Sequence, residues 1–262
     1  MIHVVLACTT FCLSGGGHHL IGKSYDWDME QALVITNPRG LHKRALLRGA
    51  GKPAECLVAP IGGKVHYMAC DRTGACATFE NIGGKMVVNG GRQLTSKVLT
   101  NDTYRASVDA LAGHQGFGGK RAIPSGKGSL DRFVRAASLV AAGKPDRKVA
   151  LAVLDSVRQG SYSKWNVIYD PITLRITFRT ASRPALKEID LKALATDCKS
   201  AARMLDMATA AKGDVTAKFA SYSFAANKKL VETSLAPVAA SLPRGAAWVV
   251  AGYPATTRCR AH

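Results

Sequence analysis

Short apolar and alternating runs occupy the early part of the chain, and apolar residues at helical spacing occupy the middle. Leu20 to Gly22, Leu33 to Thr36, Val65 to Cys70, Ala75 to Glu80 and Lys85 to Val88 read as strands. Asn37-Pro38-Arg39-Gly40, Asp71 to Gly74 and Gly83-Gly84 separate them, and such turn formers leave room only for tight reversals. Lys64 to Asn89 therefore predicts an antiparallel meander. Further on the period changes. Tyr104, Val108 and Leu111 share one stripe, which predicts a helix capped by Asp102 and stopped at Gly113. Leu130, Phe133, Val134, Ala137 and Ala141 predict a second helix, capped by Ser129 and ended by Gly143 and Pro145. Trp165 to Tyr169, a turn at Asp170-Pro171, and Leu174 to Arg179 return to strands, and Ala193 to Lys212 reads as a helix before an alanine-rich end.

Sheet, helices, sheet and helix in one chain, with antiparallel hairpins, predict an α+β fold of stacked sheets covered by helices. The 262 residues, 47% of them hydrophobic, can bury a sizeable core. No apolar run approaches the roughly 20 residues of a membrane helix. The segment before Cys8 has no basic n-region and is shorter than an export h-region. As written the chain is expected in the cytoplasm, or in the periplasm or outside the cell if its true start lies upstream.

Charge narrows the partners. With 36 Lys and Arg against 18 Asp and Glu, the net charge is +18, which favours anionic partners. The cations are spread almost evenly from Lys23 to Arg260, without basic runs or interleaved aromatics, so the pattern reads as a solvated face rather than a nucleic-acid stripe. The Gly-rich basic loop from His114 to Gly128 lacks both the spacing and the preceding strand of a phosphate cradle. An anionic small molecule drawn in by the field is compatible with it; neither nucleic acid nor membrane is expected as a partner, and self-association is left open.

Seven cysteines include no Cys-x-x-Cys pair, and the histidines are scattered, so no zinc pattern is present and no metal or cofactor is expected. Cys12, Cys56, Cys198 and Cys259 read as small buried hydrophobes. Cys70 and Cys76 flank the Asp71 to Gly74 turn and should face one another across a hairpin, where pairing is allowed. Cys8 differs. It follows the small residue Ala7 in Ala-Cys-Thr-Thr-Phe-Cys, and a cysteine freed as the first residue carries its own base. Its α-amino group, with a pKa of about 7.7 to 8.0, can take the thiol proton near neutrality. That chemistry requires removal of residues 1–7, leaving residues 8–262 as a single domain.

Read with Gly22-Lys23-Ser24-Tyr25-Asp26-Trp27, Val98-Leu99-Thr100-Asn101, Ser129-Leu130-Asp131-Arg132-Phe133-Val134-Arg135, Trp165-Asn166-Val167-Ile168-Tyr169-Asp170 and Arg203-Met204-Leu205-Asp206, this start resembles the choloylglycine hydrolase and penicillin V acylase family. These are N-terminal-nucleophile hydrolases of linear, non-peptide amide C–N bonds. The resemblance implies the αββα fold of that superfamily, autoprocessing and a thiol nucleophile. Cys8 matches the nucleophile, and Lys23 stands where the family often has arginine. Asp26 matches the aspartate that holds the freed α-amino group. Asn101 matches the asparagine whose amide points into the oxyanion hole, and Arg132 the arginine near the thiolate. The residue types suit those roles: a thiolate needs positive charge, an ammonium needs a carboxylate, and an oxyanion needs donors. With Lys23 and Arg132 nearby, Cys8 is expected to titrate below an ordinary thiol.

In one respect the chain departs from the family. No counterpart of the Gly-Met-Asn-type stretch, whose backbone N–H is the second oxyanion donor, is found between the first strands and the meander. Arg44 to Arg48 runs through Gly-Lys-Pro into Ala59 as if an internal piece were deleted. The expectation is thus an amide hydrolase, with a weakened or inactive relative as the alternative and a basic nucleic-acid binder behind it. The resemblance leaves bile-salt conjugates, phenoxyacetyl amides and acylated lactones equally open as substrates.

Overall fold

The computed structural model describes residues 8–36, 66–71, 73–194, 197, 200–241 and 244–256. In chain order its strands are β1 (Thr9–Gly15), β2 (His18–Asp26), β3 (Leu33–Ile35), β4 (His66–Cys70), β5 (Cys76–Ile82), β6 (Lys85–Gly90), β7 (Val98–Leu99), β8 (Ser163–Asp170), β9 (Arg175–Thr180), β10 (Lys187–Asp190), β11 (Arg203–Asp206), β12 (Gly213–Asp214) and β13 (Ala220–Ser221). The helices are α1 (Tyr104–Leu111), α2 (Ser129–Ala142), α3 (Arg147–Ser156), α4 (Phe224–Leu235) and α5 (Ala246–Thr256). They divide between two units, described separately: residues 8–28 with 66–186, and 29–36 with 187–256.

In the first unit, strands lie side by side in the order β9-β8-β2-β1-β7, all neighbours antiparallel. The pleat sends alternate residues of β1 to opposite faces. Phe11 and Leu13 go into the main core with Leu20, Val98 and Leu99, against Tyr104 and Leu111 of α1, Phe133, Val134 and Ala137 of α2, and Val153 and Leu154 of α3. Gly22 lies opposite Phe11 in the register, and a Cβ there would stand 2.1 Å from Phe11 Cζ. The phenyl ring occupies the space that any other residue would fill. The predicted meander forms the second sheet, β4-β5-β6. Stacked antiparallel sheets with helices thus make the mixed α+β fold expected from the sequence.

Several local expectations change. Thr103, not Asp102, caps α1, its hydroxyl accepting from the Ala106 N–H. Gly128 occupies the N-cap of α2, and Ser129 is its first residue, with its hydroxyl turned to another loop. Of the stripe read on α2, Leu130 and Ala141 are exposed, while Arg132 and Ala136 are buried beside Phe133, Val134 and Ala137. Helix α3, capped by Asp146, was not anticipated.

In the second unit, β11 pairs antiparallel with β3 on one side and β13 on the other. The helix read from Ala193 to Lys212 is therefore wrong: Met204 and Leu205 lie against Ile35 and Val34, and strand pairing overrides local helix preference. Strand β10 pairs parallel with β12. No described helix is long and apolar enough to cross a membrane. Cys56, Cys198, Cys259 and the segment between Leu47 and Ala59 lie outside the described residues.

Candidate active site

Strand parity sorts the site's residues before any packing does. Ser24 and Asp26 lie on one face of β2, and Lys23 and Tyr25 on the other. Asp26 is fully buried. Its Oδ1 accepts from Ser24 Oγ at 2.9 Å and from the Ser163 hydroxyl, and its Oδ2 from Gln159 Nε2 at 2.9 Å. The register of β2 on β8 slips between Tyr25 and Asp26, so Tyr25 faces Trp165 while Asp26 faces Ser163. Such a bulge re-aims a side chain at a strand's end. Here it brings the Asp26 carboxylate to a serine hydroxyl, and leaves Tyr25 stacked on Trp165 with ring centroids 4.1 Å apart.

Arg132 enters from α2 and is 2% exposed. Its Nη1 donates to Thr9 Oγ1 at 2.8 Å, Nη2 to Asn101 Oδ1 at 2.6 Å, and Nε to the Lys127 carbonyl at 3.2 Å. Nη1 also lies 3.9 Å from Asp26 Oδ2. One guanidinium therefore links the residue after Cys8, the buried aspartate and the asparagine. Because arginine only donates, Asn101 must turn its oxygen to Arg132, which leaves its amide N–H groups for another acceptor. The Asn101 main chain is held as well: Ser129 Oγ accepts from the N–H groups of Asn101 at 3.0 Å and Asp102 at 2.9 Å, and donates to Thr100 Oγ1.

Cys8 is half-buried at the entrance to β1, and the Asp26 backbone N–H donates to its sulfur. Burial pushes its thiol above the ordinary range; Lys23, that N–H and Arg132 pull it down, while the Asp26 carboxylate adds to the rise. The net direction is upward. This corrects the expectation of a lowered thiol: in the chain as it stands, the cost of desolvating a thiolate exceeds the attraction of two nearby cations. Arg132 is itself drawn below its ordinary value by burial, with Asp26 and Cys8 opposing.

All five residues singled out from the sequence, Cys8, Lys23, Asp26, Asn101 and Arg132, meet in this one unit. Arg132 turns to Asn101 rather than to its chain neighbour Asp131. Sequence reasoning missed Thr9, Ser129, Gln159 and Ser163. Ser24, two residues from Asp26 on a strand, was within reach of parity; Gln159 and Ser163 are more than 130 residues from Asp26 and carried no local signal. Next to Ser163, a small cleft is lined by Arg158, Lys164, Trp165, Asn166 and Arg179. Among the described residues, the grouping with metal-ligand proximity is Cys12, Cys70 and Cys76, none of which belongs to this site.

Neither a family model nor a curated protein sequence matches the chain. Solved structures do. Penicillin V acylase from Agrobacterium tumefaciens is 18% identical, with a TM-score of 0.67 over 82% of this chain and 98% of that one. A mutant of conjugated bile acid hydrolase from Clostridium perfringens is 15% identical, with a TM-score of 0.59 over 79% and 98%. At these identities the likeness establishes the fold, which is that of the proteins the sequence motifs resemble.

Proposed function

We propose that the chain hydrolyses linear, non-peptide amide C–N bonds through Cys8 as an N-terminal nucleophile, exposed by removal of residues 1–7. The observation that carries this reading is the Arg132 fork, which holds Asn101 by its oxygen and Thr9, the residue after Cys8, by its hydroxyl, 3.9 Å from the buried Asp26 carboxylate. The raised thiol of the unprocessed chain agrees with a need for processing. Once Cys8 is the first residue, its α-amino group takes the thiol proton, and the ammonium so formed has the Asp26 carboxylate to hold it. The thiolate attacks the amide carbonyl. Asn101 donates to the oxyanion, the C–N bond breaks as the ammonium protonates the leaving amine, and water then hydrolyses the thioester through a second oxyanion. Lys23 and Arg132 favour the thiolate throughout.

The substrate carries an anionic group on this reading. Arg158 and Lys164 line the cleft that adjoins Asp26 through Ser163, beside Arg179, which is paired with Asp155, and Trp165 offers an aromatic wall. The acylated side is left open by the chemistry, so penicillin V and a glycine-conjugated bile acid are the two substrates to try. The test pairs intact mass with turnover: the active protein should begin at Cys8, and Cys8→Ala should neither process nor hydrolyse either amide. Hydrolysis by a protein that keeps Met1, or unchanged turnover in Cys8→Ala, would refute the mechanism.

A further inference from the structure

Cys12 stands four residues beyond the nucleophile on β1 and is fully buried. Parity turns it away from the Phe11 and Leu13 core. Cys70 and Cys76 pair directly across the β4–β5 hairpin and form a disulfide. The sulfurs of all three lie within 4.8 Å of one another, so a free thiol sits beside an existing disulfide, and a side-chain rotation of Cys12 is what brings it into line with the Cys76–Cys70 bond. The surroundings join strand to hairpin. Lys97 Nζ donates to Ser14 Oγ at 2.9 Å and to the Gly74 carbonyl at 2.8 Å, and the Cys12 sulfur is 3.4 Å from that same Ser14 oxygen. His19, opposite Ser14 on β2 and 2% exposed, keeps its Nε2 unpartnered, with its ring against the Gly74 turn between the two cysteines.

We propose that Cys12, Cys70 and Cys76 form a thiol–disulfide exchange centre in which Cys12 replaces Cys70 as the partner of Cys76, releasing Cys70 as a modifiable thiol. The reaction balances within the chain. The Cys12 thiolate forms a bond to Cys76 Sγ, the Cys70–Cys76 bond breaks, and its electron pair leaves on Cys70. The proton lost by Cys12 is regained by Cys70 through solvent, and no external oxidant or reductant is consumed. Burial sets the direction. Cys12 and Cys76 are buried, whereas Cys70 is half-buried beside the exposed Asp71 turn, so the charge that leaves is the one water can reach. Burial also pushes the Cys12 thiol up, against the Ser14 hydroxyl and Lys97, which makes the exchange slow rather than forbidden. Its product ties β1, the strand that follows Cys8, covalently to the second sheet, and presents Cys70 to small disulfides and soft electrophiles.

The test uses the full chain, purified without reductant and incubated natively with N-ethylmaleimide. It is then acid-quenched, digested without reduction and mapped by mass. The expected product couples maleimide on Cys70 with a Cys12–Cys76 linked peptide, both growing with incubation time. Cys12→Ser and Cys12→Ala should lose both signals and retain the Cys70–Cys76 peptide. A wild-type map that holds only the Cys70–Cys76 link throughout would overturn the proposal. So would equal labelling of Cys70 in the Cys12 variants, or a Cys12–Cys70 link with maleimide on Cys76. The wild-type map decides by itself if neither variant folds.

Discussion

Replacing Arg132 with lysine keeps the charge and removes the fork, which isolates what the geometry contributes. The native guanidinium makes three hydrogen bonds, to Thr9, Asn101 and the Lys127 carbonyl. A lysine ammonium in the same space reaches one of these acceptors with a good angle. Each hydrogen bond to a charged group is worth about 1.5 to 3 kcal/mol, so losing two of them costs roughly 3 to 6 kcal/mol. That is a large share of the roughly 5 to 15 kcal/mol that holds a domain folded. Urea unfolding followed by circular dichroism measures it, and the Arg132→Lys midpoint should fall with the slope unchanged. The sharper assay is a double-mutant cycle with Asn101→Ala. If Arg132 acts on Asn101 through the 2.6 Å contact, the two losses should fall short of additivity by about 0.5 to 3 kcal/mol. Strict additivity, or an Arg132→Lys protein as stable as the parent, would refute the claim that one guanidinium holds the site together.

Asn101→Ala should lower kcat on an amide substrate by about 10² to 10³, the usual effect of removing one oxyanion donor, with the fold intact by circular dichroism; an unchanged rate removes Asn101 from the mechanism. Iodoacetamide labelling of Cys8 in the unprocessed chain should require a pH above the ordinary thiol range, because burial is the largest influence and disfavours the thiolate. Exposure of the α-amine should move that profile down. The sign carries over to stability: a thiol raised in the folded state contributes its full share below the unfolded-state pKa and loses it as pH rises through the folded one. Gly22→Ala should destabilise by about 1 to 3 kcal/mol through overpacking, and Phe11→Leu in the same chain should recover part of it by making room for the methyl group. Chemical denaturation of the parent and the two variants checks this; equal stability of Gly22→Ala and the parent would show that the ring gives way freely.

Periodicity alone was enough for the meander, for α1 and α2, and for the β8–β9 hairpin, because each is closed by residues near one another in sequence. The facing of Cys70 and Cys76 belongs with them, since four residues of turn chemistry set that register. The motif residues were legible too, as a set whose order resembles a known family. What they do to one another was not. Whether β11 is strand or helix depends on β3, which lies far away in the chain. Arg132 reads as a surface cation next to Asp131 until α2 packs on the sheet and its fork finds Thr9, Asn101 and Asp26. The direction of the Cys8 thiol also turned on packing: the sequence shows the charges that lower it, but the desolvation that raises it exists only once the surrounding elements have excluded water. Sequence by itself therefore determined which groups the chain has available and, for the strands its pattern revealed, which face they occupy. Tertiary structure decided their partners and their charge states, because both depend on distance and burial, which local pattern does not encode.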